Sequence, residues 1–430
     1  MFLLFILTLL EFVIILLCDK NILSPSVIFA LVFLISEFNL FTNITSLGIT
    51  IKTNTILIIV SGIFFFWLGE LLVAKISLSN KSVTNFNINM LNREFSLSNW
   101  KLIILILFNL ISSILIAKTV VSLTYGAGYA GDFWGAFGRY RELSAIGGDT
   151  NLRLSTFPTL LTSLTKAEGY IIAFIVAKLL VEKKKVNYLV WITLITAFIT
   201  TFCQGDRGGL VLAIAFLFNY IFLMEKNNRY HELFNFRNIL KLIVIIVIII
   251  FVFNISAIVA GKRWDVPFYQ YFSVYLGGPI VNLNELVENG IPSSPLWGYF
   301  TFGNIIQFVY RHIGKVFPFF NINGFNIFNG INTGNVYTIF AYLISDFGYV
   351  GCQIILFCLG IVMQLGFTIA KQSKNNFSIS IILYCFFLGC LSLSFFSDKV
   401  FENISVFNLY TFVFNFLFIS FLSTTKNSKV

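Results

Sequence analysis

Residues 202–216 read FCQGDRGGLVLAIAF, an acid and an arginine set between two apolar runs with only the six residues QGDRGG in which to turn. A cation in so apolar a neighbourhood must reach water, so the side of a membrane on which this turn lies decides what the arginine can do. The runs that flank the turn are typical of the chain. Of 430 residues 57% are hydrophobic, 17% aromatic and 11% charged, with mean hydropathy +0.87. That composition belongs to polytopic membrane proteins and excludes an ordinary soluble enzyme.

Apolar stretches able to cross a hydrocarbon core of about 30 Å, each needing about 20 residues, recur from end to end. They predict helices near residues 1–17, 25–41, 55–74, 101–124, 157–181, 187–203, 210–224, 239–260, 350–370, 378–397 and 405–424. The expectation is an all-α polytopic membrane protein of about 11 transmembrane helices (range 10–12), one integral membrane domain over 1–430. The first run, MFLLFILTLLEFVIILL, has no basic n-region and no small-residue cleavage site, and reads as a retained helix. Six cysteines lie in or at the edges of apolar runs without ligand-like spacing, which argues against a disulfide framework or a zinc site.

Basic residues favour the cytoplasmic side. If the linkers near 18–24, 75–101, 178–186, 225–241, 371–377 and 424–430 are cytoplasmic, they hold 17 of the 29 Lys and Arg against five acids; the opposite side holds 12 against 11. Runs such as VEKKKVN then serve as anchors at anionic lipid, and the net charge of +10 requires no nucleic acid.

Two extracytoplasmic loops follow, 125–156 and 261–349. The first carries Arg139, Arg141, Glu142, Asp149 and Arg153, and its Phe133, Phe137 and Tyr140 recur at helical spacing. A short amphipathic helix on the outer leaflet would present the arginines to water; solvated loop charges over an aromatic belt are the alternative. The second opens with GKRWDVPFYQYF, which contains Arg263 and Asp265. It later places Phe302, Ile305, Ile306, Val309, Tyr310 and Ile313 on one helical face opposite Asn304, Gln307 and Arg311, with His312 beside them. The alternative there is a lid over the bundle.

The same orientation puts QGDRGG outside, at the start of a helix. Asp206 is a good N-cap. Arg207 sits at the positive end of the helix dipole, where a cation is disfavoured, while Gly208 and Gly209 leave backbone N–H groups open. This suits a bound anion, phosphate above all, against the simpler reading of an Asp206–Arg207 pair that closes a hairpin. Arg139, Arg141, Arg207, Arg263 and Arg311 all fall on one side of the membrane, and arginine grips phosphate with a two-pronged fork.

With these residues in place the chain resembles the O-antigen polymerases of the Wzy family. The resemblance spans nearly the full length: the helix number, the SPSVIFALVFLISEF opening, the GDRGG turn, the Arg-bearing first loop, the late loop opening with GKRWD, and the NTGNVYTIFAYLISDFGYVG run. It implies a GT-C-like glycosyltransferase in the bacterial cytoplasmic (inner) membrane. Its donor would be a growing glycan on undecaprenyl diphosphate, its acceptor a lipid-linked repeat unit, and its further partner a Wzz-like chain-length regulator. No cofactor is implied. The leaving diphosphate falls to Arg207 and Arg263. Arg139, Arg141, Arg153 and Arg311, with Asp206, Gly208 and Gly209, would bind substrate, and Glu142, Asp265 and His312 are the candidate bases. The extracytoplasmic loops contain no DxD sequence, so metal-bridged transfer from a nucleotide sugar is not expected. Two rivals remain. A flippase would use Glu11, Glu37 and Glu70, acids within or near the first three helices, although the chain has no internal repeat. An O-antigen ligase shares the polymerase chemistry.

Overall fold

The computed structural model describes residues 2–17, 24–43, 50–79, 94–95, 97–146, 152, 154–224, 268–292, 294–315, 326–328, 330–373 and 379–424. They are predominantly helical. In chain order the helices are α1 (Phe2–Leu17), α2 (Pro25–Thr42), α3 (Thr53–Ser79), α4 (Asn99–Gly126), α5 (Phe133–Arg141), α6 (Thr156–Val181), α7 (Tyr188–Ala197), α8 (Ile199–Phe202) and α9 (Arg207–Met224). There follow α10 (Phe268–Asn289), α11 (Gly303–His312), α12 (Ile339–Ser373, interrupted at Gly348), α13 (Ile379–Ser392), α14 (Lys399–Glu402) and α15 (Val406–Leu422). Among the described residues four segments are long and apolar enough to cross a membrane: Pro25–Thr42, Thr53–Ile76, Asn99–Gly126 and Ile339–Gln372. Shorter apolar helices include α1, α13 and α15. The expected helix near 239–260 lies outside the described residues.

The contacts divide the chain into two compact units. Unit 1 comprises Met1–Ile88, Trp264–Gln372 and Phe387–Val406; unit 2 comprises Asn89–Arg263, Ser373–Phe386 and Phe407–Val430.

In unit 1, α3 and α12 cross through glycines. A Cβ on Gly69 would lie 2.1 Å from the Phe357 carbonyl oxygen, and one on Gly360 would lie 2.0 Å from that of Phe66. Small residues at such a crossing let two backbones touch, the usual means of holding apolar helices together where no water drives them. Glu70 has a structural task. Its carboxylate accepts the Ser26 N–H at 2.7 Å and the Ser24 hydroxyl, and so caps the N-terminus of α2 from a neighbouring helix. The stretch 261–349 holds more helix than its sequence suggests, because α10 runs 22 residues through Pro279. Asn282 of α10 donates to the carbonyls of Thr333, Gly334 and Val336, and accepts from the Thr333 hydroxyl at 2.7 Å. The hairpin β1 (Asn326–Phe328) and β2 (Ile331–Gly334) is thereby fixed to it.

Unit 2 packs around α6, which is buried almost without interruption from Ala167 to Ala177. A helix buried on all sides is apolar all round, and α6 breaks that rule at Glu168, which is fully buried. Beside it Gly169 leaves room for Phe198: a Cβ there would lie 2.7 Å from the ring. At one end of the unit the Asn187 amide donates to Asn99, and Lys101 donates to the Phe421 carbonyl. At the other end lie α5 and the QGDRGG turn.

Candidate functional site

The first expected amphipathic helix is α5. Asp132 caps it by accepting the Gly135 N–H at 3.3 Å, and the Thr124 hydroxyl ties the end of α4 to the Ala136 carbonyl. Phe137 and Tyr140 turn inward and pack with Ile116, Val120, Leu161 and Cys203, whereas Phe133 and Trp134 stay about half exposed. The helix therefore rests on its own unit's core through one face and presents a second aromatic edge outward. Burial pushes the Tyr140 phenol up; hydrogen bonds to the Leu154 backbone and Ser144 pull it the other way.

The QGDRGG turn meets this helix directly. Backbone hydrogen bonds from Gln204 and Asp206 to the Thr201 carbonyl, and from Gly205 to Phe202, wind the chain tightly after α8. Gly205 has φ +67°, and a Cβ on it would fall 2.6 Å from the Phe137 carbonyl oxygen and 3.0 Å from Arg141 Cβ. Only glycine satisfies both conditions. The turn and the Arg-bearing helix, about 65 residues apart in sequence, thus share one surface.

Asp206 caps α9, its Oδ1 accepting the Gly209 N–H at 3.2 Å. That N–H is committed to the cap and is not open to a ligand, while a Cβ on Gly209 would meet Thr201 Cγ2 at 2.4 Å. Gly208 is roomier, its nearest neighbour being Asp206 Oδ1 at 3.3 Å. Arg207 is the first residue of α9, at its positive end. Arg139 and Glu142 pair at 3.2 Å, both about half exposed, a surface contact worth about 0–1 kcal/mol and readily parted. Arg141 is half buried, and among the described residues no carboxylate lies within ion-pair distance of it. Arg139, Arg141, Glu142, Asp206, Arg207, Gly208 and Gly209 are therefore gathered at one end of unit 2.

The remaining candidates are placed otherwise. Arg311 and His312 end α11, the second expected amphipathic helix, in unit 1. The exposed His312 ring rests on Phe308 at 4.0 Å, with Nδ1 2.8 Å from the Phe308 carbonyl oxygen. Asn304 donates to the Glu402 carbonyl at 2.6 Å, and Phe302 packs edge-on against Phe401, which anchors α11 to α14. Just ahead of α11, Asp346 accepts the N–H groups of Phe300 and Thr301. Arg153, Arg263 and Asp265 lie outside the described residues.

Three residues that sequence reading passed over matter here. Gly205 sets the turn against α5. Glu168 and Asn109 form a buried polar pair, with Asn109 Nδ2 2.9 Å from Glu168 Oε1. The signal for Glu168 was present: an acid in the run TKAEGYIIAF, halfway along an expected helix.

No protein-family model matches the chain, and no curated protein or solved structure matches it either.

Proposed function

We propose that this protein is a membrane glycosyltransferase that polymerises undecaprenyl-diphosphate-linked oligosaccharide repeat units into O-antigen or capsular polysaccharide. It would do so on the outer face of the bacterial cytoplasmic membrane, on a GT-C-like bundle of about eleven crossings. The observation that carries the reading is the Gly205 contact, which sets Arg141, unpaired among the described residues, beside the turn that carries Asp206 and Arg207.

In this chemistry an acceptor hydroxyl attacks the donor sugar at C1 and the C1–O bond to phosphate breaks. The electron pair leaves with undecaprenyl diphosphate, and the hydroxyl proton passes to a base. Charge accumulates on the leaving diphosphate, so fixed guanidinium groups at a helix N-terminus favour the transition state over the ground state. Within unit 2, Arg207 and Arg263 serve the diphosphate, Arg139, Arg141 and Arg153 the neighbouring phosphate or acidic sugar, and Glu142 the proton.

The test uses one conservative change. Lysine keeps the charge of Arg207 but loses the fork that holds two phosphate oxygens. Arg207→Lys should shorten the surface glycan ladder severely and Arg207→Ala nearly abolish it, in line with the loss of about 10²- to 10³-fold for one donor in such a site. Both should hold at unchanged protein level in the membrane. A full-length ladder from Arg207→Ala would remove this turn from the chemistry.

A second reading, transport of the lipid-linked oligosaccharide, is favoured by Glu11, which is buried with neither carboxylate oxygen hydrogen-bonded among the described residues. Deletion of the protein separates the two: single repeats still at the surface indicate a polymerase, and none indicates a flippase or ligase.

A further inference from the structure

Glu168 lies midway along α6, twelve residues from its start at Thr156, or about 18 Å along the axis. Its Oε1 accepts from Asn109 Nδ2 at 2.9 Å, and the same amide nitrogen meets Thr196 Oγ1 at 3.3 Å. Two buried oxygens of this pair, Glu168 Oε2 and Asn109 Oδ1, have no hydrogen-bond partner among the described residues. A strip of polar side chains continues from the pair toward the QGDRGG turn. Thr165 and Thr200 share a hydrogen bond at 2.8 Å, and Gln204 Nε2 donates to Thr162 Oγ1 at 2.7 Å. Three-residue spacing puts Thr162, Thr165 and Glu168 on one face of α6. We propose that Glu168 and Asn109 form a buried proton-binding site, loaded from the QGDRGG end of unit 2 along this strip.

The surroundings favour a proton over other occupants. Lys101 and Lys118 of α4 and Lys166 and Lys178 of α6 make no ion pair with Glu168. The other titratable side chains buried among the described residues of this unit, Tyr140, Tyr170, Tyr220, Tyr384, Cys203 and Cys385, are phenols and thiols, not cations. A full negative charge inside a helical bundle, with no cation paired to it among the described residues, is costly, and one bound proton removes it. The carboxylate forms a single O–H bond, the proton coming from hydronium at the surface, which leaves as water. A metal cation of the hard type calls for about six oxygens or more, against the two left unpartnered here. The amide suits a site that gains and loses a proton. Its NH₂ donates to the carboxylate, and its oxygen, presented by a simple reversal, accepts from the acid. A lysine in its place would hold the anion only.

This inference is independent of the glycosyltransferase reading, and its test reads no activity. Infrared spectra of the full-length protein in lipid, wild type minus Glu168→Gln, should contain a carboxylic acid carbonyl band at neutral pH that the variant lacks. The band should be lost as the pH rises. In D₂O it should shift as the acid exchanges, and Thr200→Val or Gln204→Leu should slow that exchange. No acid band in the difference overturns the site, and exchange unaffected by both strip variants overturns the route. Should Glu168→Gln fail to fold, labelling of the wild type with a hydrophobic carbodiimide, located by mass spectrometry, reads the same property. Label on Glu168 that falls with rising pH is expected. Label on Glu11 and Glu37 but not on Glu168, or protection of Glu168 by Na⁺, contradicts the proposal.

Discussion

At Gly205 two independent demands meet, a backbone at φ +67° and a carbonyl oxygen 2.6 Å from where a side chain would begin. An alanine there carries a left-handed conformation at a cost of about 1–3 kcal/mol and also pushes Phe137 and Arg141 away. Gly208, two residues past Asp206, faces no such backbone. Gly205→Ala should therefore lower the thermal midpoint in detergent and shorten the glycan ladder, while Gly208→Ala leaves both near wild type. Equal behaviour of the two variants would mean that the contact with α5 is not needed. The arginines and the cap were legible in the string GDRGG because charge and capping follow from residue type. Gly205 was not, because the sign of φ and the approach of Phe137 arise from tertiary packing. The same holds for Gly209, whose N–H looked open and is taken by Asp206.

Among the elements, α5 was readable from apolar periodicity, since Phe137 and Tyr140 mark its inward face, whereas the expected apolar face of α11 is divided, Ile305 and Ile306 half-buried but Val309 and Ile313 exposed. Helix α10 was not readable, because Gly277, Gly278 and Pro279 spell a stop. There the hairpin intervenes: Asn282 binds its Thr333 and Gly334 carbonyls and that of Val336 just beyond, and a Cβ on Gly278 would lie 2.9 Å from the Thr333 carbonyl oxygen. Helix α14 offers a test of element stability. Asp398 caps it through the Phe401 N–H at 3.2 Å; its burial pushes the carboxyl well above the usual aspartate range, Glu402 and Asp346 adding to the effect and the Phe401 N–H and Lys399 opposing it. An acid whose folded value is raised favours the fold below its unfolded value of about 3.9, and that contribution is lost as the pH climbs toward the folded value. Asp398→Asn keeps the acceptor oxygen and removes the titration. From about pH 4 upward the thermal midpoint of the wild type should fall relative to that of Asp398→Asn. Parallel profiles would show that Asp398 is ionised in the fold at no cost.

For the whole molecule, the charge asymmetry and the packing of unit 2 point the same way. The turn and α5 share one end, while Asn99, Asn187 and the Lys101–Phe421 contact share the other, where the basic linkers begin. Fusions of a reporter active only outside the membrane should be active at Gly148, Gly209 and Gly290 and silent at Lys184 and Asn228. Silence at Gly209 would place Arg207 on the cytoplasmic side and end its assignment to the leaving group. Composition and hydropathy sufficed for the class and for the four long apolar helices, because crossing a bilayer constrains length and polarity together. The buried pair of Glu168 and Asn109 escaped notice because its two members lie 59 residues apart and only the packing of α4 on α6 joins them. The central claim, that arginines alone take the charge of a leaving undecaprenyl diphosphate, is tested most directly with the purified protein in lipid and undecaprenyl-diphosphate-linked repeat units from its host, in excess chelator. A ladder of repeats with matching release of undecaprenyl diphosphate is predicted. No ladder, or one that forms only when Mg²⁺ or Mn²⁺ is restored, would contradict it.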